Sequence, residues 1–195
     1  MLHGFSIREP VGLSAREIEG LSDVLIDCVE GGASVSFMLP MTRAKATAFW
    51  QRTGATLERG ELRLLLAESA DGAIVGTVQL LLDQPENQPH RGAIAKMLVH
   101  RRARRHGVGA ALLEAAERLA LRLGKSLLVL DTASGDAERL YARQGWQYSG
   151  EIPDYALWPR GGTCATKIFF KFLLPASRSA CDRDGDAQPR DNPRC

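Results

Sequence analysis

The chain has 195 residues, of which 45% are apolar and 25% charged, and its formal net charge is +2. This is the composition of an ordinary globular protein, long enough for one domain with a sizeable core. No apolar run in the sequence is long enough to span a bilayer, and the charge balance lacks the strong basic excess of a general nucleic-acid binder. The four cysteines, Cys28, Cys164, Cys181 and Cys195, lack the paired spacing of a zinc site. His3, His90, His100 and His106 do not cluster with them. Met1 to Pro10 lacks the basic-then-apolar layout of a signal peptide. The expectation is a reducing, cytoplasmic compartment, with no metal, no membrane partner and no nucleic-acid partner.

Phe5 to Glu9 reads as a short first strand. Ser14 is a candidate N-cap, and Glu17 three residues on completes a capping box. Ile18, Leu21, Val24, Leu25 and Cys28 then repeat at helical spacing until Gly31-Gly32 stops the helix. A second helix is predicted from Thr42 to about Leu57. Leu62–Glu68 and Ile74–Leu82 form a hairpin about the Asp71-Gly72 turn. Asp83 to His90, with two prolines, is a loop.

Ile94–Val99 is the next strand, and Gly107–Leu123 the next helix. Val108, Leu112, Ala115, Leu119 and Leu123 share one face of it. Gly124 closes it. A strand over 127–131, a short helix ending near Arg143, and strands near Gln147–Glu151 and Ala165–Phe172 follow. This order is mixed α/β, and the central strand–helix–strand unit implies parallel pairing. The domain is expected to span 1–174. Residues 175–195 hold almost nothing apolar and are expected to be disordered.

The segment between the 94–99 strand and its helix carries the most chemistry. The first N–H groups of a helix have no partner within it, and with the helix dipole they form an anion site suited to phosphate. Arg104 and Arg105 add positive charge, and Gly107, Gly109, Ala110 and Ala111 let a ligand approach the backbone. Arg101 and Arg102 are explained equally well as solvated surface. A P-loop requires Lys-Ser/Thr after its last glycine, but Ala110-Ala111 follow Gly109. A dinucleotide fingerprint requires a third glycine where Leu112 stands. The pattern Arg/Gln-x-x-Gly-x-Gly/Ala is filled, by Arg104, Gly107 and Gly109. It resembles the acetyl-CoA loop of the GCN5-related N-acetyltransferases (GNAT). A second segment, Ala137-Glu138-Arg139-Leu140-Tyr141-Ala142-Arg143-Gln144-Gly145-Trp146, fills the family pattern Ala-x-x-hydrophobic-Tyr-x-x-x-Gly-aromatic. The resemblance covers about residues 60–172. Gly31 to Met38, the run from Leu130 to Tyr141, and Ile152 to Ala156 resemble the tabtoxin-resistance branch, which N-acetylates a small β-lactam toxin; on that reading it covers nearly all of 5–174.

The resemblance implies a single α/β domain: a twisted mixed sheet of six to seven strands flanked by about four helices. It also implies acetyl-CoA as co-substrate, held by the backbone of Met97, Leu98 and Val99 and by the loop Arg104, Arg105, His106, Gly107, Val108, Gly109 and Ala110. Tyr141 occupies the family's general-acid position; a core tyrosine ending a helix is the other reading. Many relatives carry a glutamate near the start of the fourth strand, where this chain reads Gly92-Ala93-Ile94-Ala95-Lys96. Asp131 is the best remaining carboxylate, at a strand C-terminus where α/β sheets place ligands. It is equally an N-cap or turn residue for the next helix. Ser34, Phe37, Asp154 and Tyr155 are substrate-side candidates by family position, with Met38 and Trp158 behind them. Glu151 is a weaker acid or substrate candidate. Cys164 has no histidine near it in sequence, and Gly32-Ala33-Ser34-Val35-Ser36 is not a nucleophile elbow.

The function implied is transfer of acetyl from acetyl-CoA to the amine of a small molecule, an amino-acid-like toxin or antibiotic, by direct attack in a ternary complex. A protein or peptide N-acetyltransferase and a CoA-binding sensor without turnover are the alternatives. The chain is a monomer or a homodimer on this reading.

Overall fold

A computed structural model describes residues 4–173; the expectation of disorder over 175–195 lies outside the described residues. Seven strands form one sheet: β1 (Phe5–Arg8), β2 (Leu62–Ser69), β3 (Ile74–Leu81), β4 (Arg91–Val99), β5 (Leu127–Thr132), β6 (Gln147–Leu157) and β7 (Thr163–Phe172). Their spatial order is β1-β2-β3-β4-β5-β7-β6. Four helices cover the sheet: α1 (Ala15–Glu30), α2 (Arg43–Glu58), α3 (Val108–Arg122) and α4 (Gly135–Arg143). The mixed α/β class follows from both the local patterns and the packing. No helix among the described residues is long and apolar enough to cross a membrane.

Local chemistry accounts for most helix ends. The Ser14 side chain accepts from Glu17 N–H, and the Glu17 carboxylate accepts from Ser14 N–H at 2.7 Å, so the predicted capping box starts α1. Thr42 caps α2. At the end of α3, Gly124 has φ +74°, Gly124 N–H donates to Leu121 at 3.0 Å, and Lys125 N–H donates to Ala120 at 2.9 Å. These are the two bonds of a Schellman ending.

Two cores flank the sheet. On one face α1 and α2 pack Leu21, Leu25, Val29 and Trp50 against Leu62, Leu64 and Leu66. On the other, α3 packs Val108, Leu112, Leu113, Ala116, Leu119 and Ala120 against Leu65, Val78 and Leu128. The α3 stripe is thus wider than predicted and is centred beside it. Ala115 is only half-buried, and Leu123, which caps the helix, is 36% exposed. Truncating a buried leucine of either core to alanine costs about 2–5 kcal/mol.

Two strand boundaries differ from the sequence reading by three residues or more. β4 starts three residues early, at Arg91, because Gly92 lies where a Cβ would sit 3.1 Å from Leu128 and Leu80 side chains. Glycine is what fits between crowded strands. β6 runs on to Leu157 through a register break between Ile152 and Ala156, in which Asp154 has φ +50°.

The central pairing positions everything that follows. β4 and β5 are parallel, but only Arg91, Gly92 and Ala93 pair with Leu127, Leu128 and Val129. Beyond that the strands part. Each keeps its outer neighbour, β3 along β4 to Val99 and β7 along β5 to Thr132. The sheet therefore opens a slot in its middle, lined by strand edges whose polar groups face no strand. β4 also carries a bulge. Thr77 pairs with Leu98 and Gln79 with Ala95, so two steps along β3 answer three along β4. Before the bulge Ile94 packs toward α3; after it Leu98 packs toward α1 and α2. The extra residue turns side chains to the other face.

Candidate active site

The slot between β4 and β5 widens into a cleft of about 1400 Å³. Its floor is the second half of β4, with Met97, Leu98 and Val99. One side is the turn into α3, with Arg104, Arg105, Gly107, Gly109 and Ala110. Asp131 and Tyr141 stand on the β5–α4 side, and Ser34, Phe37 and Tyr155 close the far end. All of these were singled out in the sequence, and Met38 and Trp158 line the same cavity. His106 and Val108 belong to the same turn without lining it. His106 Nδ1 lies 2.7 Å from the Arg104 carbonyl, and Val108 is buried in the α3 core. Asp154 is not brought to the cleft; its carboxylate accepts from Thr163 Oγ1 at 2.5 Å. Glu151 lies 4.0 Å from Lys167 instead.

The turn before α3 is built to leave donors free. Gly107 is the N-cap, at φ +81°, and offers no side-chain cap. A Cβ there would meet nothing within 4 Å, so the glycine serves the left-handed conformation and leaves open space. Arg105 is left-handed as well, at φ +64°. Gly109 is a packing glycine. A Cβ on it would come 3.2 Å from Leu140 and 3.4 Å from Met97. The Arg104 guanidinium braces the turn, with Nε donating to the Val99 carbonyl at 3.1 Å. Asp27 holds the preceding 3-10 turn, accepting from Arg101 N–H at 2.7 Å and Arg101 Nε at 2.8 Å. These bonds hold Asp27 below the usual carboxylate range, against the opposing effect of its burial.

Tyr141 sits in the last turn of α4, 4% exposed, its ring 5.9 Å from both Trp146 and Phe169. Burial, reinforced by the Asp131 carboxylate, pushes its phenol well above the ordinary range. It is a neutral O–H donor at any working pH. Asp131 is not the cap of α4, which is Ser134. Its carboxylate accepts from Thr166 Oγ1 at 2.9 Å, which fixes its direction from β7. Cys28 and Cys164 are buried, and burial raises the Cys28 thiol. A buried thiol whose pKa is raised, as at Cys28, is a poor nucleophile.

Among the lining residues that the sequence reading did not single out for the site are Lys96 and Ser36. Lys96 sits in the β4 bulge at φ +46°, and Ser36 lies opposite at φ +74°. Lys96 Nζ donates to Ser36 Oγ at 3.2 Å. Burial lowers the lysine's pKa, and Asp131 opposes that shift. The available signal was a lone lysine in an otherwise apolar strand.

The acetyltransferase (GNAT) family model matches residues 35–146, more than half of the chain. Among solved structures the fold is similar to a GNAT superfamily phosphinothricin acetyltransferase from Sinorhizobium meliloti in complex with AcCoA. The TM-score is 0.72 at 15% identity, covering 90% of this chain and 94% of that one. It is also similar to a ribosomal-protein-alanine N-acetyltransferase from Brucella melitensis, with TM-score 0.70, 21% identity, and 86% and 99% covered. A third is an N-acetyltransferase from Staphylococcus aureus Mu50, with TM-score 0.71, 16% identity, and 88% and 99% covered. The chain belongs to the GNAT family of acetyltransferases.

Proposed function

We propose that this acetyltransferase moves acetyl from acetyl-CoA to the amine of a small, amino-acid-like molecule, within the tabtoxin-resistance and phosphinothricin branch of its family. The observation that carries the reading is the uncapped N-terminus of α3 opening onto the split between β4 and β5. Free N–H groups at a helix start suit a pyrophosphate, and an unpaired strand edge suits an extended amide-bearing arm. The residues present therefore fit CoA. Gly107, Gly109 and Ala110 would cradle its phosphates, Arg105 would add charge, and the β4 edge at Met97–Val99 would hold its arm. The likeness to the phosphinothricin acetyltransferase bound to AcCoA supports both the cofactor and a small acceptor.

Acetyl-CoA supplies an activated acyl group on a sulfur leaving group. The rest falls to this chain's side chains. An alkylamine is mostly protonated at neutral pH, with a pKa of about 10, so its proton must go before attack. Asp131 holds that ammonium and takes the proton, directly or through water. Tyr141 presents its O–H to the departing sulfur. It grips its proton more tightly than a thiol does, whose ordinary pKa is about 8.5. It therefore acts first by hydrogen bonding to the sulfur, and passes a proton on only as one arrives from the amine. Attack is direct, in a ternary complex; neither buried cysteine carries the acetyl group.

Calorimetric titration with acetyl-CoA, followed by CoA release with a panel of small amines, tests this. One-to-one micromolar binding and turnover are expected. Binding without turnover on any small amine, peptide or protein would make the chain a sensor. Turnover on peptides alone would make it a protein N-acetyltransferase. Failure of the folded protein to bind acetyl-CoA would overturn the reading altogether.

A further inference from the structure

Two opposite charges line the cleft without meeting each other. Lys96 and Asp131 interact electrostatically, yet among the described residues neither has an ion pair within 4 Å. Two charges nearby are matched, Arg139 with Asp136 and Lys167 with Glu138 at 2.7 Å, while Arg104, Arg105 and Arg143, which also line the cleft, have no carboxylate within 4 Å among the described residues and stand with the turn before α3 and with α4. Lys96 is half-buried and stands 5.9 Å over the Phe49 ring. A cation withdrawn from water without an anion is costly, and burial accordingly lowers its pKa.

The backbone holds it there at a further cost. Lys96 is a non-glycine residue at φ +46°, within the bulge that turns its side chain from the α3 face to the α1–α2 face. Its hydrogen-bond partner Ser36 is left-handed too, at φ +74°. Strain of this kind persists where the surrounding structure over-determines it, and concentrates at ligand sites. Without the bulge this position would point to the other face of the sheet. The ammonium has three donors; Ser36 takes one and leaves the others for the cleft.

We propose that Lys96 and Asp131 form a two-point site for a zwitterionic acceptor, with the acceptor's carboxylate on Lys96 and its ammonium at Asp131. The substrate class is then an α-amino acid or a close analogue whose amine lies beside an anionic group. Binding pairs both orphan charges at once. It also carries the amine to the carboxylate that takes its proton. The inference rests on the acceptor reading proposed above.

The test is CoA release with protein α-amino acids beside their α-carboxamides and decarboxylated amines, for the native protein and two variants that melt as it does. The native protein is expected to prefer the free carboxylate about 10- to 100-fold in kcat/KM, chiefly through KM. Lys96→Met is expected to bring that ratio close to one, and Lys96→Arg to keep most of it. A native protein indifferent to the carboxylate, or a Lys96→Met variant that still discriminates, overturns the assignment. So does a Lys96→Met variant slowed equally on every amine and not rescued by arginine, because that is the behaviour of a base. Acetyl-CoA binding with no turnover of any amine removes the acceptor reading itself, and this inference with it.

Discussion

The two motifs that carry the family resemblance each place glycine at a helix end, and the structure gives them opposite local explanations. The second, Tyr141-x-x-x-Gly145-Trp146, is a Schellman ending of α4. Gly145 is left-handed at φ +76°, its N–H donates to Ala142 at 3.1 Å, and Trp146 N–H donates to Tyr141 at 3.0 Å. Tyr141 and Trp146 are then the residues whose apolar contact accompanies that motif, and their rings lie 5.9 Å apart. Local folding accounts for the glycine and the tryptophan. Only the hydroxyl of Tyr141, a residue that lines the cleft, is surplus to it. The first motif, Arg104-x-x-Gly107-x-Gly109, has no such economy. Gly107 starts α3 without a cap and leaves its N–H groups open. What the helix lacks at that end, a ligand is left to supply. A pattern whose glycine completes a helix says little about function; one whose first glycine leaves the helix incomplete says a great deal.

The largest effect should come from closing the first motif. Gly109→Val adds branches where even a Cβ would lie 3.2 Å from Leu140 and 3.4 Å from Met97. The Leu140 and Met97 side chains or the start of α3 must then shift, and the added branches intrude on the cleft that Gly109 lines. Acetyl-CoA affinity, read by titration, is expected to fall about 100-fold or more, with a thermal melt confirming that the fold survives. Native affinity in the folded variant would break the contrast, since the glycine would then serve packing alone. Tyr141→Phe probes what is surplus in the second motif. The ring contacts with Trp146 and Phe169 remain, so stability and acetyl-CoA affinity should hold. Turnover should fall about 10²-fold or more, the ordinary contribution of a positioned proton donor. Unchanged turnover would leave Tyr141 a core residue only.

Most of the fold was legible because its signals are local. The Ser14–Glu17 capping box, the Gly124 helix stop and the turn at Asp71-Gly72 each rest on residues within a few positions of one another. The site was legible to the extent that it follows a helix start. What escaped the sequence depends on distant partners. β4 begins at Arg91 because Gly92 fits against Leu128 and Leu80, from two other strands. The bulge that turns Lys96 toward Ser36 and Phe49 is set by its register with β3. A lysine and a serine at positive φ carry no local mark, because both choices are unfavourable in isolation. Asp154 illustrates the reverse. It stands beside Tyr155, which lines the cleft, yet the break in β6 turns it to Thr163. Asp131 keeps its place at the strand end but leaves capping to Ser134.

A smaller effect should separate the motifs from the other side. Gly145→Ala forces a Cβ into φ +76° with nothing within 4 Å to collide with, so the cost is conformational. It is expected to be about 1–2 kcal/mol, seen as a melting point lower by about 2–8 °C. Acetyl-CoA affinity should stay near native, because the Schellman turn shapes α4 and not the α3 start. A strong loss of affinity with little loss of stability would show that the second motif also serves the cofactor.

The smallest effect concerns the brace beneath the first motif. Asp27 accepts from Arg101 N–H and Nε, and so ties α1 to the turn that leads into Arg104. Its pKa is lowered in the folded protein. A depressed folded value means that the stabilisation is present above the unfolded pKa, about 3.9 for aspartate. It is lost as the pH falls through the folded value. Asp27→Asn keeps the shape and removes the charge, and should cost about 1 kcal/mol at neutral pH. From about pH 4 downward the variant and the native protein should begin to converge in denaturant melts, and they should coincide once the pH is below the folded value. Because Asp27 lies outside the cleft lining, any fall in acetyl-CoA affinity must come through the position of the turn. Arg104 Nε, fixed on the Val99 carbonyl at 3.1 Å, gives that turn a second support. A modest loss of affinity would therefore mean that the open donors of α3 depend on where the turn is held. No loss would mean that Gly107 and Arg104 hold the site without α1.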